Sequence, residues 1–198
     1  MGYVVAVSAP VGGGKTSLVR GLADRMRDAT AIYFDSYETL TERPIEEIRQ
    51  WMQAGADTGE LVIPQLAEDI AGLLRGNAVV EPLTGRTVAP GKYIIFETPF
   101  ARQHAATGAH IDLSIWIDTP LDMALARNLR ELIDRPEMEE NFVPWLRSYL
   151  DSYLAVVREL LLMQQDSVGE AADVVLDGRN DLEANLLLAE EEILARLP

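Results

Sequence analysis

The chain of 198 residues is long enough to bury a core as one domain, and its 48% hydrophobic and 25% charged residues exclude bulk disorder. A net charge of −15 argues against nucleic acid as the main partner, because a polyphosphate needs an electropositive footprint. The absence of cysteine removes disulfides, thiolate metal sites and cysteine nucleophiles. The apolar run near the amino terminus is shorter than a membrane span and has no basic region ahead of it, so a cytoplasmic protein with no membrane partner is expected.

The first element is the β-rich run "YVVAV" (3–7), followed by "SAPVGGGKTS" and helical periodicity over 17–26. A second strand, 31–34, leads into "YFDSYE". Helices over 44–52 and 64–74 come next, each opening with a proline suited to a first turn. "NAVVEPLTGRTVAPG" breaks the pattern, since two short extended pieces around Thr84-Gly85 predict a β-ribbon. Strands at 93–96 and 113–117 precede a third proline-initiated helix over 120–133. Phe142, Trp145, Tyr149, Tyr153, Val156, Leu160 and Met163 then recur at threes and fours along one long amphipathic helix, their stripe read as core. A strand at 174–176 and a closing helix carrying Leu182, Leu186, Ala189, Ile193 and Leu197 complete the chain. The strands are mostly unbroken apolar runs, as suits strands covered on both faces. The alternation predicts an α/β three-layer sandwich: a five-stranded parallel sheet with helices on both faces and ligands beyond the carboxyl ends of the strands.

Residues 9–16, "APVGGGKT", match the phosphate-binding loop pattern G-x-x-x-x-G-K-[ST], with Ala9 in the first glycine position. Gly12, Gly13 and Gly14 lack a Cβ, so their backbone N–H groups can turn inward as an anion nest, and the helix that follows adds its unpaired N–H groups. Lys15, one of only two lysines against fifteen arginines, supplies a mobile charge to the β- and γ-phosphates. The Thr16 hydroxyl is a candidate magnesium ligand, and Ser17 completes the nucleotide-binding stretch. The implied ligand is a nucleoside triphosphate, with ATP and Mg2+ expected. No N-K-x-D element is present to read guanine.

Two carboxylates fall at the functional edge. Glu97 ends the strand in "YIIFETPF" and is placed to hold magnesium or substrate. Asp35 follows the strand in "YFDSYE" and is either a simple Asx-turn residue or the group that orients an acceptor hydroxyl and takes its proton. Ser36 and Tyr37 add hydrogen-bonding groups beside it and favour the second reading. Tyr37 is a substrate-binding candidate.

"VSAPVGGGKTS", "YFDSYE", "YIIFETPF", "IDLSIWIDTPLDMALARNLRELIDRP" and "AADVVLDG" stand in an order and spacing that resembles the uridine kinase and phosphoribulokinase-like P-loop kinases, over nearly the whole chain. The resemblance implies one P-loop kinase domain over 1–198, with a substrate-side region over 38–90 and a lid-like segment over 122–140. It also implies a base role for Asp35, metal and substrate support from Glu97, and phosphate contacts from Arg127 and Arg130, with Arg135 a weaker candidate. The turn Asp177-Gly178-Arg179 would lie near the adenine, making Gly178 a nucleotide-binding residue. Two departures stand out. The lid helix of the family reads R-R-I-x-R-D, where this chain reads "ARNLRE" with Ala126 and Glu131. The D-H-P element of uridine kinases is reduced to Pro64 in "LVIPQL".

Arg102 and His104, in "TPFARQH", follow the same strand as Glu97. There an arginine suits an anionic acceptor and a histidine a hydroxyl; an exposed loop pair is the other reading. Arg127 and Arg130, at i and i+3, share a helix face that serves either phosphate contacts or salt bridges to nearby glutamates. The expected activity is transfer of the γ-phosphate of ATP to a hydroxyl of a small metabolite, in a monomer or homodimer. The rival expectation is a nucleotide-dependent regulatory or chaperone-like ATPase with no small acceptor.

Overall fold

A computed structural model describes residues 2–38, 44–134 and 142–196. Val4, Val5, Ala6 and Val7 have no solvent exposure, because β1 (Tyr3–Ser8) runs through the middle of a sheet and is covered on both faces. The other sheet strands are β2 (Ala29–Tyr33), β5 (Tyr93–Glu97), β6 (Leu113–Asp118) and β7 (Val174–Asp177), while β3 (Val79–Val80) and β4 (Thr87–Val88) pair separately. All pairings in the five-stranded sheet are parallel, in the order β2-β5-β1-β6-β7. From β1 the chain goes to β2 at one edge, returns to β5 between the two, then crosses β1 to build β6 and β7 on the other side. Such a reversal opens a crevice beyond the carboxyl ends of the strands. Register levels those ends: Val7 and Tyr33 both lie beside Glu97, so the segments after β1, β2 and β5 emerge together.

The period of two along each strand separates two cores. Val5 and Val7 face Leu18, Val19 and Leu22 of α1 (Lys15–Arg25) and Leu186, Ala189 and Ile193 of α8 (Leu182–Ala195). Val4 and Ala6 face the opposite way, packing with Ile94 and Phe96 of β5 and with Leu66, Ile70 and Leu73 of α3 (Pro64–Leu74). A smaller cluster joins Trp116 to Ala101 and Val168.

The predicted sheet and ribbon are both present, with strand ends shifted by a residue or two. Pro64 occupies the first turn of α3, whereas Pro44 and Pro120 sit one residue ahead of α2 (Ile45–Gln53) and α5 (Leu121–Ile133). The short helix α4 (Ala105–Gly108) lies between β5 and β6. Leu197, expected in the closing helix, and Arg135 lie outside the described residues.

The long helix after α5 differs from expectation. α6 (Phe142–Ser152) passes through a π turn (Tyr153–Val157) into α7 (Arg158–Gln164) and a second π turn (Gln165–Gly169). Val168 and Gly169 pack at Trp116 within the sheet, and Gln164 lies at its carboxyl edge. The far end of the helix runs past that edge and α6 has no buried residue, whereas Tyr153 and Val156 are buried, as the core stripe predicts for those two. Phe142, Trp145 and Tyr149 are half-buried and not core. They shield one another by stacking, with successive centroid distances of 6.0 Å and 5.2 Å, and the ladder reaches Tyr153 at 6.5 Å.

Phe96 is fully buried at the centre of the second core. Truncation in Phe96→Ala removes its ring contacts and leaves a cavity, and is expected to cost about 3–5 kcal/mol. A lowered urea midpoint with an unchanged slope is the expected result in equilibrium unfolding.

Candidate active site

The loop between β1 and α1 is shaped by two positive backbone angles, φ +76° at Gly12 and +95° at Gly14. A Cβ on Gly12 would lie 2.1 Å from the Ala124 carbonyl oxygen, so the backbone of α5 closes against this side of the loop. The Gly13 N–H turns back to the Pro10 oxygen (2.8 Å), and the Thr119 hydroxyl donates to the Gly13 carbonyl (3.0 Å). On the other side a Cβ on Gly14 would meet nothing within 4 Å. Gly14 caps α1 with no side-chain bond, so the first N–H groups of that helix face this open side. Ala9, where the pattern has glycine, is buried in the core beneath and shows no positive φ.

Glu97 joins this loop to the sheet. One oxygen of its buried carboxylate accepts the Thr16 hydroxyl (3.0 Å) and lies 3.8 Å from Lys15 Nζ. Burial pushes the Glu97 carboxyl above the usual carboxylate range; the Lys15 charge and the Thr16 bond pull it back, and the nearby Asp35 charge adds to the rise. Asp35 sits in the 3-10 turn Phe34–Ser36, two residues beyond Tyr33 and so just past the level of Glu97. It is exposed, and no hydrogen bond or ion pair holds its carboxylate among the described residues. Lys15, Thr16, Glu97 and Asp35 thus converge on the open side of the loop.

On the far side of the loop lies a cavity of about 260 Å³, lined by Gly13, Gly14, Ser17, Arg127, Gly178 and Asn185 among others. Arg127 Nη1 donates to the Gly178 carbonyl (3.1 Å), tying α5 to the turn after β7. Arg130 is exposed, and neither arginine forms a salt bridge among the described residues.

Three sequence candidates are committed elsewhere. The Tyr37 hydroxyl donates to Asp69 (2.8 Å) and, with burial, its pKa is pushed well above the usual phenol value. Arg102 pairs with Asp173 (2.8 Å) and donates to the Asp112 carbonyl (3.0 Å). Asp112 and Asp173 immediately precede β6 and β7, so Arg102 lies at the amino edge of the sheet, opposite the loop. His104 is only 2% exposed, and its ring nitrogens engage Thr107 Oγ1 and the Leu61 carbonyl at 2.8 Å each. The segment after β5 turns back along the sheet face, carrying both residues away from the edge that their position in sequence suggests. Two residues at the loop were missed. Thr119 directly follows β6, a position that offered a signal. Gln164, whose Nε2 donates to the Pro99 carbonyl at 2.7 Å, sits in a helix whose polar face offered none.

No family model matches the chain. Its sequence is 28% identical over 137 residues to a uridine kinase of Haemophilus influenzae, a match covering 63% of this chain and 62% of that one. It is 32% identical over 108 residues to a uridine kinase of Psychromonas ingrahamii, covering 53% and 48%. The chain therefore spans less than two thirds of the length of these curated relatives. A crystal structure described as a sugar kinase from Janibacter sp. superposes over 98% of this chain and 95% of its own, with a TM-score of 0.55 at 18% identity. With its glycine loop, sheet order and these similarities, the chain has the fold of the P-loop kinases and resembles the uridine kinases in sequence.

Proposed function

We propose that the chain is an ATP-dependent kinase that transfers the γ-phosphate to a hydroxyl of a small nucleoside-, sugar- or vitamin-like molecule. The observation that carries this reading is the pairing of two unlike carboxylates at one loop: Glu97, bound to Lys15 and Thr16, and Asp35, left free beside them. The open side of the loop at Gly14 and the start of α1 suits the β- and γ-phosphates, with Lys15 adding its charge. The donors at Thr16 and Glu97 are both hard oxygens, and no cluster of three or more metal-ligating side chains exists among the described residues. That set fits Mg2+, which takes few protein oxygens and completes its shell with water and phosphate. When bound, Mg2+ supplies charge neutralisation at the transferring phosphate.

Asp35 is placed to accept the proton of the acceptor hydroxyl as its oxygen bonds to phosphorus; the bond from the γ-phosphorus to the bridging oxygen breaks, and ADP leaves with the electron pair. Arg127 and Arg130 on α5 are the groups available to face the developing charge. The cavity by Ser17 and Gly178 would take the nucleoside end. Arg102, His104 and Tyr37 are committed to the fold and drop out of the acceptor site.

A pool of nucleosides, sugars and vitamins incubated with γ-labelled ATP should yield a labelled alcohol. In Asp35→Asn the turnover should fall by about a hundredfold or more with ATP affinity retained, whereas Lys15→Ala should lose affinity as well. Label released only to water would overturn the kinase reading, and Asp35→Asn turning over like the parent would overturn the base role of Asp35.

The buried Glu97 gives a second test. Its carboxyl titrates higher in the folded than in the unfolded chain, so its contribution to stability is present below the unfolded value and is lost as pH rises through the folded one. Between acid below the ordinary 4.5 and neutrality, the parent should lose melting temperature relative to Glu97→Gln, while the variant binds Mg-ATP more weakly. Parallel melting curves across that range would contradict the burden of burial on this carboxylate.

A further inference from the structure

Among the described residues no hydrogen bond or ion pair holds the Asp35 carboxylate, so its position is set by the backbone that carries it. The 3-10 turn has only the Tyr37 and Glu38 N–H bonds to the Phe34 carbonyl, at 2.9 Å and 3.2 Å, to keep its shape. A turn this short has little stability of its own. Its neighbours are gripped from outside, and most of the grips come from residues 81–86, the loop of the β3-β4 ribbon.

Glu81 is 1% exposed, which is costly for a carboxylate unless donors surround it. Burial alone would push its carboxyl up, but bonds from Arg86, Thr84 and Ser36 hold it below the usual range. Arg86 binds it with a fork, Nε to Oε2 at 2.9 Å and Nη2 to Oε1 at 2.6 Å. The same guanidinium donates to the Ala31 carbonyl (2.7 Å) and lies 5.1 Å above the Tyr33 ring. The Leu83 N–H donates to the Ser36 carbonyl (3.1 Å). Residues 31, 33 and 36 are therefore all held by the ribbon, on both sides of the one residue, Asp35, whose side chain is free. An apolar ribbon could cover β2 as well, yet it could not bond the Ala31 carbonyl and hold a guanidinium over Tyr33 through one ion pair.

We propose that Glu81 and Arg86 are positioning residues for Asp35, the ion pair of the ribbon fixing the turn that presents this carboxylate to the acceptor. The inference rests on the reading of Asp35 as the base, and its test separates the two. Amide hydrogen exchange needs no substrate. In Glu81→Gln, the Tyr37 and Glu38 amides should exchange about tenfold faster or more, because their local opening becomes easier. The Thr98 amide, bonded to Val7 in the central sheet, should be unaffected. With γ-labelled ATP and the fixed pool of alcohols, Glu81→Gln should lower kcat by about tenfold to a hundredfold at an unchanged KM for ATP. The same substitution made on Asp35→Asn should lower it no further, since a misplaced base that is already absent costs nothing. Arg86→Lys keeps the charge but loses the fork, and should show the same effects in weaker form if Glu81→Gln does not fold.

Unchanged exchange at Tyr37 and Glu38 in a folded variant overturns the proposal. So does an equal loss of kcat with and without Asp35, which would mark the pair as a staple for the ribbon alone. If Asp35→Asn by itself retains turnover, the base assignment fails instead, and the exchange result still decides whether the ribbon fixes the turn.

Discussion

One oxygen of Glu97 is the point on which the candidate site depends. It stands at the end of a central strand, between β1 and β2, and draws Thr16 and Lys15 down onto the sheet from the first turn of α1. The carboxylate is buried, so its charge would be costly without those partners; they are the same groups that suit a metal and a phosphate chain. Loop shape, helix start and sheet edge are thereby joined through a single charged group. Any anion entering the loop must compete with Glu97 for Lys15, which keeps the ammonium poised at the crevice and away from open solvent.

Around this point the polar residues divide by use. His104, Tyr37 and Arg102 each satisfy a buried or edge backbone group or a fixed carboxylate, and so spend their bonding capacity on the fold, while Gln164 donates through Nε2 to the Pro99 carbonyl. Asp35 and Arg130 stand apart with no such partner among the described residues. Folding requires buried polar groups to be paired, whereas exposed groups such as these are satisfied by water and need no partner in the fold. The contrast is sharpest over five residues of chain, where Tyr33, Ser36 and Tyr37 are all engaged and Asp35 between them is not.

The surroundings of Asp35 have a different character from the loop. Phe34, next to Asp35, meets Phe100 edge to face at 5.6 Å, and Trp51 of α2 meets the same ring at 6.5 Å. Where uridine kinases carry a D-H-P element, this chain has apolar residues around Pro64, with Leu61 and Ile63 buried. Aromatic and aliphatic packing thus builds the wall behind Asp35.

The parallel sheet, its helices, the ribbon and the glycine loop were legible from residues alone, because each is written in local periodicity or in a conformational need that only glycine meets. Asp35 and Glu97 were legible for the same reason, since a strand end fixes which edge the next residue occupies. What lay beyond reach were contacts across many residues of chain: Arg102 turned to the opposite edge by the segment that returns along the sheet, His104 consumed by the Leu61 carbonyl, and Gln164 brought to Pro99 by a helix projecting from the sheet. Glu81 looked like an ordinary ribbon residue, and its burial against Arg86, Thr84 and Ser36 exists only once β3 and β4 dock on β2. Sequence determined which groups stand at the ends of strands; tertiary packing alone decided which of them remain free, because a polar side chain is claimed by whatever buried partner the folded chain brings within hydrogen-bond reach.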